Sequence, residues 1–127
     1  MKIDHIALYV TDLEKMKTFY EKYFQAQSNQ MYHNPKTGLK TYFLKFENAC
    51  RIELMTKENL NDIPKEINSL GYIHLAFQVG TKEKVDALTK QLENDGYQIA
   101  SMPRITGDGY YESCVLDPEN NQIEIIA

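Results

Sequence analysis

The strongest constraint on this chain is that it nearly repeats itself. Residues 5–11 read HIALYVT and residues 74–80 read HLAFQVG. Each is a histidine, an apolar residue, alanine, an apolar residue, a variable position, valine and a small residue. Each runs into a segment with apolar residues at helical spacing. In the first, Leu13, Met16, Phe19, Tyr20, Tyr23 and Phe24 recur, and TDLE at 11–14 has the form of a capping box. Thr11 is the expected cap there, with Glu14 reaching back. In the second, Val85, Leu88 and Leu92 make the stripe, Thr81 is the expected cap and Gly96 the stop.

Strand-like segments follow each helix, at about 28–33, 39–46 and 50–55 in the first half and about 98–104, 110–116 and 121–126 in the second. The last strands also match, RIELM (51–55) against QIEII (122–126). His5 and His74 are 69 positions apart, and Glu53 and Glu124 are 71 apart. The expected fold is therefore α+β, built of two paired βαβββ modules. One domain is expected over 1–127. Module one covers about 1–55 and module two about 71–127. The polar stretch TKENLNDIPKEINSL (56–70) links them.

Bulk properties narrow the function. A chain of 127 residues suits one domain with a core. The formal net charge is −4 with no basic cluster, so nucleic acid is not an expected partner. No apolar run approaches the ~18 residues of a membrane span. The N-terminus lacks the unbroken apolar stretch of a signal peptide. Cys50 and Cys114, the two cysteines, have no metal-type spacing and read as reduced thiols. A cytoplasmic protein is expected.

Successive strand side chains point to opposite faces, so parity sorts them. Ile6, Leu8 and Val10 share one face of the first strand; Ile73, Leu75, Phe77 and Val79 share one face of its counterpart. Ile52 with Leu54, and Ile123 with Ile125, do the same in the last strands. These faces should pack under the helices. The opposite parity carries His5, Ala7 and Tyr9; Arg51, Glu53 and Met55; His74, Ala76 and Gln78; Gln122, Glu124 and Ile126. That face is too polar for a core and is either solvent surface or the lining of a cavity. A lone histidine on a strand is usually a surface residue. Two histidines and two glutamates at matching places in two repeats are a stronger signal. Two imidazoles and two carboxylates suit a divalent metal ion, Zn²⁺ or Ni²⁺ first, with Co²⁺, Mn²⁺ and Fe²⁺ also open.

The paired modules, the DHIALYVTDLEKMKTFY opening, IHLAFQV at the start of module two and LDPENNQIEI near the end resemble the vicinal oxygen chelate superfamily. It contains glyoxalase I, methylmalonyl-CoA epimerase, extradiol dioxygenases, fosfomycin-resistance enzymes and bleomycin-binding proteins. The resemblance implies metal ligands at His5, Glu53, His74 and Glu124, with Glu124 or Glu53 as the catalytic base. Glyoxalase I has Glu at the second position, where the epimerase has Gln. Dioxygenases and fosfomycin enzymes use two His and one Glu. Glu53 therefore leans toward a glyoxalase I-type (lactoylglutathione lyase-like) metal-dependent lyase or isomerase. The alternatives are a fosfomycin-type thiol transferase and a metal-free, bleomycin-resistance-like drug binder. Glyoxalase I carries Arg four residues after its first His, to hold the glutathione carboxylate; Tyr9 stands there, a departure from the pattern. Arg51, Lys45 or Arg104 could serve another anion. By parity, Tyr110, Glu112 and Cys114, with Phe43 and Lys45 as module-one counterparts, are expected to line the cavity. His33 fits no site and reads as a loop residue. The resemblance also implies that the two paired βαβββ modules form a curved mixed sheet around a metal cavity, in a homodimer acting on a small molecule.

Overall fold

The computed structural model describes every residue except Asn48, Ala49 and Ile67; of the expected linker, Ile67 lies outside the described residues. The chain divides into two compact units, Met1–Ile63 and Pro64–Ala127. No helix among the described residues is long and apolar enough to cross a membrane.

The first unit runs β1 (His5–Tyr9), α1 (Leu13–Phe24), β2 (Gln27–Ser28), β3 (Tyr32–His33), β4 (Lys40–Lys45) and β5 (Arg51–Thr56). Its strands order as β1-β5-β4-β2, with β3 also on β4. β1 and β5 are parallel; the other pairings are antiparallel. The expected strand at 28–33 is broken into two short pieces, β2 and β3. His33 is on the second of them, paired with Lys40, where a loop was expected.

Helix α1 buries the expected residues, Leu13, Met16, Phe19, Tyr20, Tyr23 and Phe24. Beneath it lie Leu44, Ile52 and Leu54, all but inaccessible to water. Fully burying a side chain such as Leu54 stabilises by roughly 1.5–3 kcal/mol. The helix starts one residue later than expected. Asp12 is the cap and accepts from the Lys15 amide at 2.9 Å. That register puts Lys15 where the capping box needs an acid. Glu14 instead accepts from the Tyr42 hydroxyl at 2.6 Å and pairs with Lys17 at 2.7 Å.

The second unit runs β6 (His74–Gln78), α2 (Lys82–Asn94), β7 (Ile99–Ile105), β8 (Tyr111–Leu116) and β9 (Gln122–Ile126). Its order, β6-β9-β8-β7, reproduces the first unit, again with its first and last strands parallel. Each unit is thus a βαβββ module, as the repeat predicts. Thr81 caps α2 by accepting from the Lys84 amide at 3.3 Å. Gly96, at φ +88°, sits just past the C-cap, in a conformation that costs a residue with a Cβ. Val85, Leu92, Val115, Ile123 and Ile125 form the buried core. The Thr89 hydroxyl lies within it, 2.6 Å from both the Val85 carbonyl and the Ser113 hydroxyl, tying helix to sheet.

β8 and β9 are joined by a turn built on one carboxylate. Asp117 accepts from the amides of Glu119 and Asn121, both at 2.9 Å, and from the Asn121 side chain at 2.7 Å. Burial raises the Asp117 carboxyl above its ordinary range, although the Asn121 bonds pull it down. The turn sets the register that places Glu124 opposite Cys114.

Candidate metal centre

In each unit the two parallel strands present a histidine and a glutamate from the same face. In the first, His5 pairs with Arg51 and Ala7 with Glu53. In the second, His74 pairs with Gln122 and Ala76 with Glu124. A two-residue offset on adjacent strands keeps both side chains on one side of the sheet. His5 Nε2 lies 3.7 Å from Glu53 Oε2, and His74 Nε2 lies 3.2 Å from Glu124 Oε2. These imidazoles and carboxylates are 16–40% exposed, so they are neither core nor free surface. Among the described residues, no three His, Cys, Asp or Glu side chains form one metal-holding group.

The pairs fit a divalent cation in two respects. The donors are imidazole nitrogen and carboxylate oxygen, which Zn²⁺ and its first-row neighbours accept. Two donors sharing a cation at ordinary bond lengths of about 2.0–2.2 Å stand no more than about 4.4 Å apart, and both separations fall inside that limit.

The electrostatics of the two pairs differ. Burial raises the Glu124 carboxyl above its ordinary value; His74 pulls it back and Glu112 adds to the rise. Cys114, beside Glu124 on β8, is pushed up by burial and then by Glu124 and Glu112, so it is a neutral thiol at neutral pH. Its sulfur lies 3.6 Å from Gln122 Oε1. In the first unit Asp4 is held below the usual carboxylate range, first by its hydrogen bond from His5 and then by Arg51.

The remaining predicted residues fall as follows. Tyr9 shares the His5 face of β1 and is 52% exposed, with the Lys57 ammonium 5.4 Å from its ring centroid. Phe43 pairs with Glu53 across β4 and β5 and meets His5 edge to face at 5.4 Å. Arg51 is stacked over Phe43 at 4.5 Å and paired with Asp4. Lys45 is exposed at the end of β4, paired with Gln27. Glu112 and Cys114 share the Glu124 side of the sheet, because both are paired with its even-numbered face. Tyr110 precedes β8; its amide and carbonyl both bond Thr106, so it belongs to the turn. Tyr111 begins the strand on the helix side, donating its hydroxyl to Asp86 of α2 at 2.7 Å.

Arg104 reaches the Glu112 side only because β7 is irregular. Register shifts separate Ile99 from Ser101 and Ser101 from Arg104. Positions 101 and 104 would face oppositely in a regular strand. Here Ser101 pairs with Cys114 and Arg104 with Glu112, and Arg104 Nε donates to Ser101 Oγ at 3.0 Å. A bulge of this kind re-aims a side chain. Sequence reasoning missed Asp4 and Ser101. Asp4 had a signal, its adjacency to His5. Ser101 had only Pro103 close by, a residue that disturbs a regular ladder.

A family model described as Glyoxalase/Bleomycin resistance protein/Dioxygenase superfamily matches residues 2–125. The chain is 28% identical over 126 residues to the uncharacterized protein YqjT of Bacillus subtilis (strain 168), covering 97% of this chain and 96% of that one. It superposes on a glyoxalase family protein from Enterococcus faecalis with TM-score 0.80 at 23% identity, covering 99% of this chain and 97% of the other. Glyoxalase I from Zea mays aligns with TM-score 0.77 at 20% identity over 98% of this chain, which spans 44% of the maize protein. At such identities the two structures establish a common fold.

Proposed function

Because the chain belongs to the Glyoxalase/Bleomycin resistance protein/Dioxygenase superfamily, we propose that it is a divalent-metal-dependent lyase or isomerase of the glyoxalase I type. The observation that carries this reading is the His–Glu pair repeated at matching strand positions in both units. In it, His5, Glu53, His74 and Glu124 hold one cation, Zn²⁺ or Ni²⁺ first. When bound, the cation supplies a Lewis acid that polarises a carbonyl oxygen and stabilises the negative charge developing there.

The chain's own groups do the rest. A glutamate carboxylate, Glu124 or Glu53, takes the proton alpha to the carbonyl and returns it to the neighbouring carbon. Applied to a hemithioacetal, that transfer gives a thioester. His5 and His74 would hold the cation through Nε2, the ring nitrogen nearest its glutamate in each pair. Half-burial keeps bulk water from competing for the proton. Tyr9, Phe43, Lys45, Arg51, Arg104, Tyr110, Glu112 and Cys114 bind substrate in this reading. Arg104 is the best placed to meet an anionic group, since the bulge turns it to the Glu112 side with its terminal nitrogens not used by Ser101. Tyr9 in place of arginine opens the choice of thiol beyond glutathione. A cytoplasmic homodimer completes the proposal, checked by light scattering.

The test is an assay of protein loaded with Ni²⁺ or Zn²⁺, using methylglyoxal with glutathione and with other thiols. Turnover is expected with at least one thiol, and loss of proton transfer in Glu124→Gln or Glu53→Gln at metal saturation, with the cation still bound, identifies the base. No turnover with any thiol removes the glyoxalase I reading. Opening of an epoxide antibiotic by the loaded protein, or drug binding by a protein purified without metal, would place the chain with the resistance proteins instead.

A further inference from the structure

The two halves of the proposed site are built differently. Behind His5 stands a frame of three residues. Asp4 Oδ2 lies 2.9 Å from His5 Nδ1, and the same oxygen accepts from Arg51 Nη2. The Arg51 guanidinium is stacked on Phe43 at 4.5 Å, and Phe43 in turn meets the His5 ring edge to face at 5.4 Å and 86°. Strand register brings this about: Arg51 is the β5 partner of His5, and Phe43 is the β4 partner of Glu53. The Arg51 amide also bonds the Asp4 carbonyl at 3.0 Å, fixing Asp4 just ahead of the strand.

The repeat identifies the matching positions in the second unit. Gln122 is the partner of His74, and Cys114 is the partner of Glu124. Ile73 precedes His74. The carboxylate, guanidinium and aromatic ring of the first unit are thus replaced by an alkyl group, an amide and a thiol. None of these supplies a carboxylate to an imidazole.

We propose that Asp4 is a positioning residue that holds His5 as the Nδ1–H tautomer, with Arg51 and Phe43 fixing the carboxylate and the ring, so that Nε2 is presented as a lone-pair donor toward Glu53. The proposal rests on the reading of His5 as a metal ligand. Its physical basis is general. A carboxylate accepts and cannot donate, so the neutral imidazole facing it places its proton on Nδ1. That leaves Nε2 unprotonated, its lone pair available to a cation. Nε2 and Glu53 Oε2 then face each other as two acceptors at 3.7 Å, an arrangement that a shared cation relieves. Among the described residues no carboxylate stands behind the His74 ring as Asp4 does behind His5; its Nε2 lies 3.2 Å from Glu124 Oε2.

The experiment begins with metal-free, ¹⁵N-labelled protein above pH 8 and reads the three histidines by long-range ¹H–¹⁵N correlation. His5 is expected to show the Nδ1–H pattern in the wild type and to move toward Nε2–H in Asp4→Ala. Asp4→Asn keeps an acceptor without the charge and should fall between them. Ile73→Ala, the matching change in the second unit, should leave all three spectra unaltered. Co²⁺ affinity should fall about 10–100-fold in Asp4→Ala, the usual effect of losing an outer-shell partner. Asp4→Asn should restore part of it. Loss of Co²⁺ binding in His5→Ala alongside an unchanged tautomer and affinity in Asp4→Ala would overturn the positioning role alone. No effect of His5→Ala on Co²⁺ binding would remove the metal reading, and the proposal with it.

Discussion

At the scale of single residues, the structure shows how placement decides what a carboxylate does. Four acids in this chain have four different situations. Glu124 is half-buried beside an imidazole and its affinity for a proton is raised. Asp117 is buried and organises a turn. Asp4 is exposed but tied to a histidine and an arginine. Glu14 bridges helix and sheet, and its pKa lies below its ordinary value of 4.5, first through Lys17 and then through Tyr42. A carboxylate with a depressed pKa contributes stability that is present above its unfolded value and lost as the pH falls through its folded value. Glu14→Gln should therefore unfold at lower urea than the wild type at pH 6. The gap should narrow as the pH falls below the ordinary value of 4.5 and close once the pH has passed below the lowered folded value, where both side chains are neutral. A gap that persists unchanged at pH 3 would mean that the charge on Glu14 does not matter. The Glu14 side chain is 60% exposed, so the effect is small compared with burying a core residue.

At the scale of elements, the helices and strands were legible because their signals are periodic. Six apolar residues at helical spacing predict α1, and the same six are buried. Alternation in β5 and β9 predicts which side of each strand meets the helix, and Ile52, Leu54, Ile123 and Ile125 are buried there. What was not legible depends on competition between neighbours. Thr11 and Asp12 can both cap a helix, and only the path of the chain after β1 decides for Asp12. The consequence is that Asp12→Ala and Thr81→Ala should each cost about 0.5–2 kcal/mol. Urea denaturation measures it, and a neutral effect at Asp12 would return the cap to its predecessor. The bulge in β7 was hidden for a related reason. Parity gives the face of a residue only while the ladder is regular, so Arg104 could be proposed as a binding residue without its direction being known. The break between β2 and β3 lies in a stretch with few apolar residues and no alternation to define a continuous strand.

At the scale of the whole molecule, the repeat accounts for the architecture. Two units of the same strand order each carry a His–Glu pair on the parallel strands and an amphipathic helix on the opposite side. The two His–Glu pairs were legible to the extent that they follow the repeat, which gives His5 with Glu53 and His74 with Glu124. Their surroundings were not legible where the halves differ, as at Asp4, Arg51 and Phe43 against Ile73, Gln122 and Cys114. Those differences depend on which side chains meet across strands, and that requires register. The central proposal is that the two pairs serve one cation. Titrating the metal-free protein with Co²⁺, alongside His5→Ala, Glu53→Ala, His74→Ala and Glu124→Ala, tests it most directly. One Co²⁺ per chain is predicted, with affinity falling about tenfold or more in all four variants. Binding that survives every change in one of the two units, or a wild-type chain that takes up no Co²⁺, would contradict it.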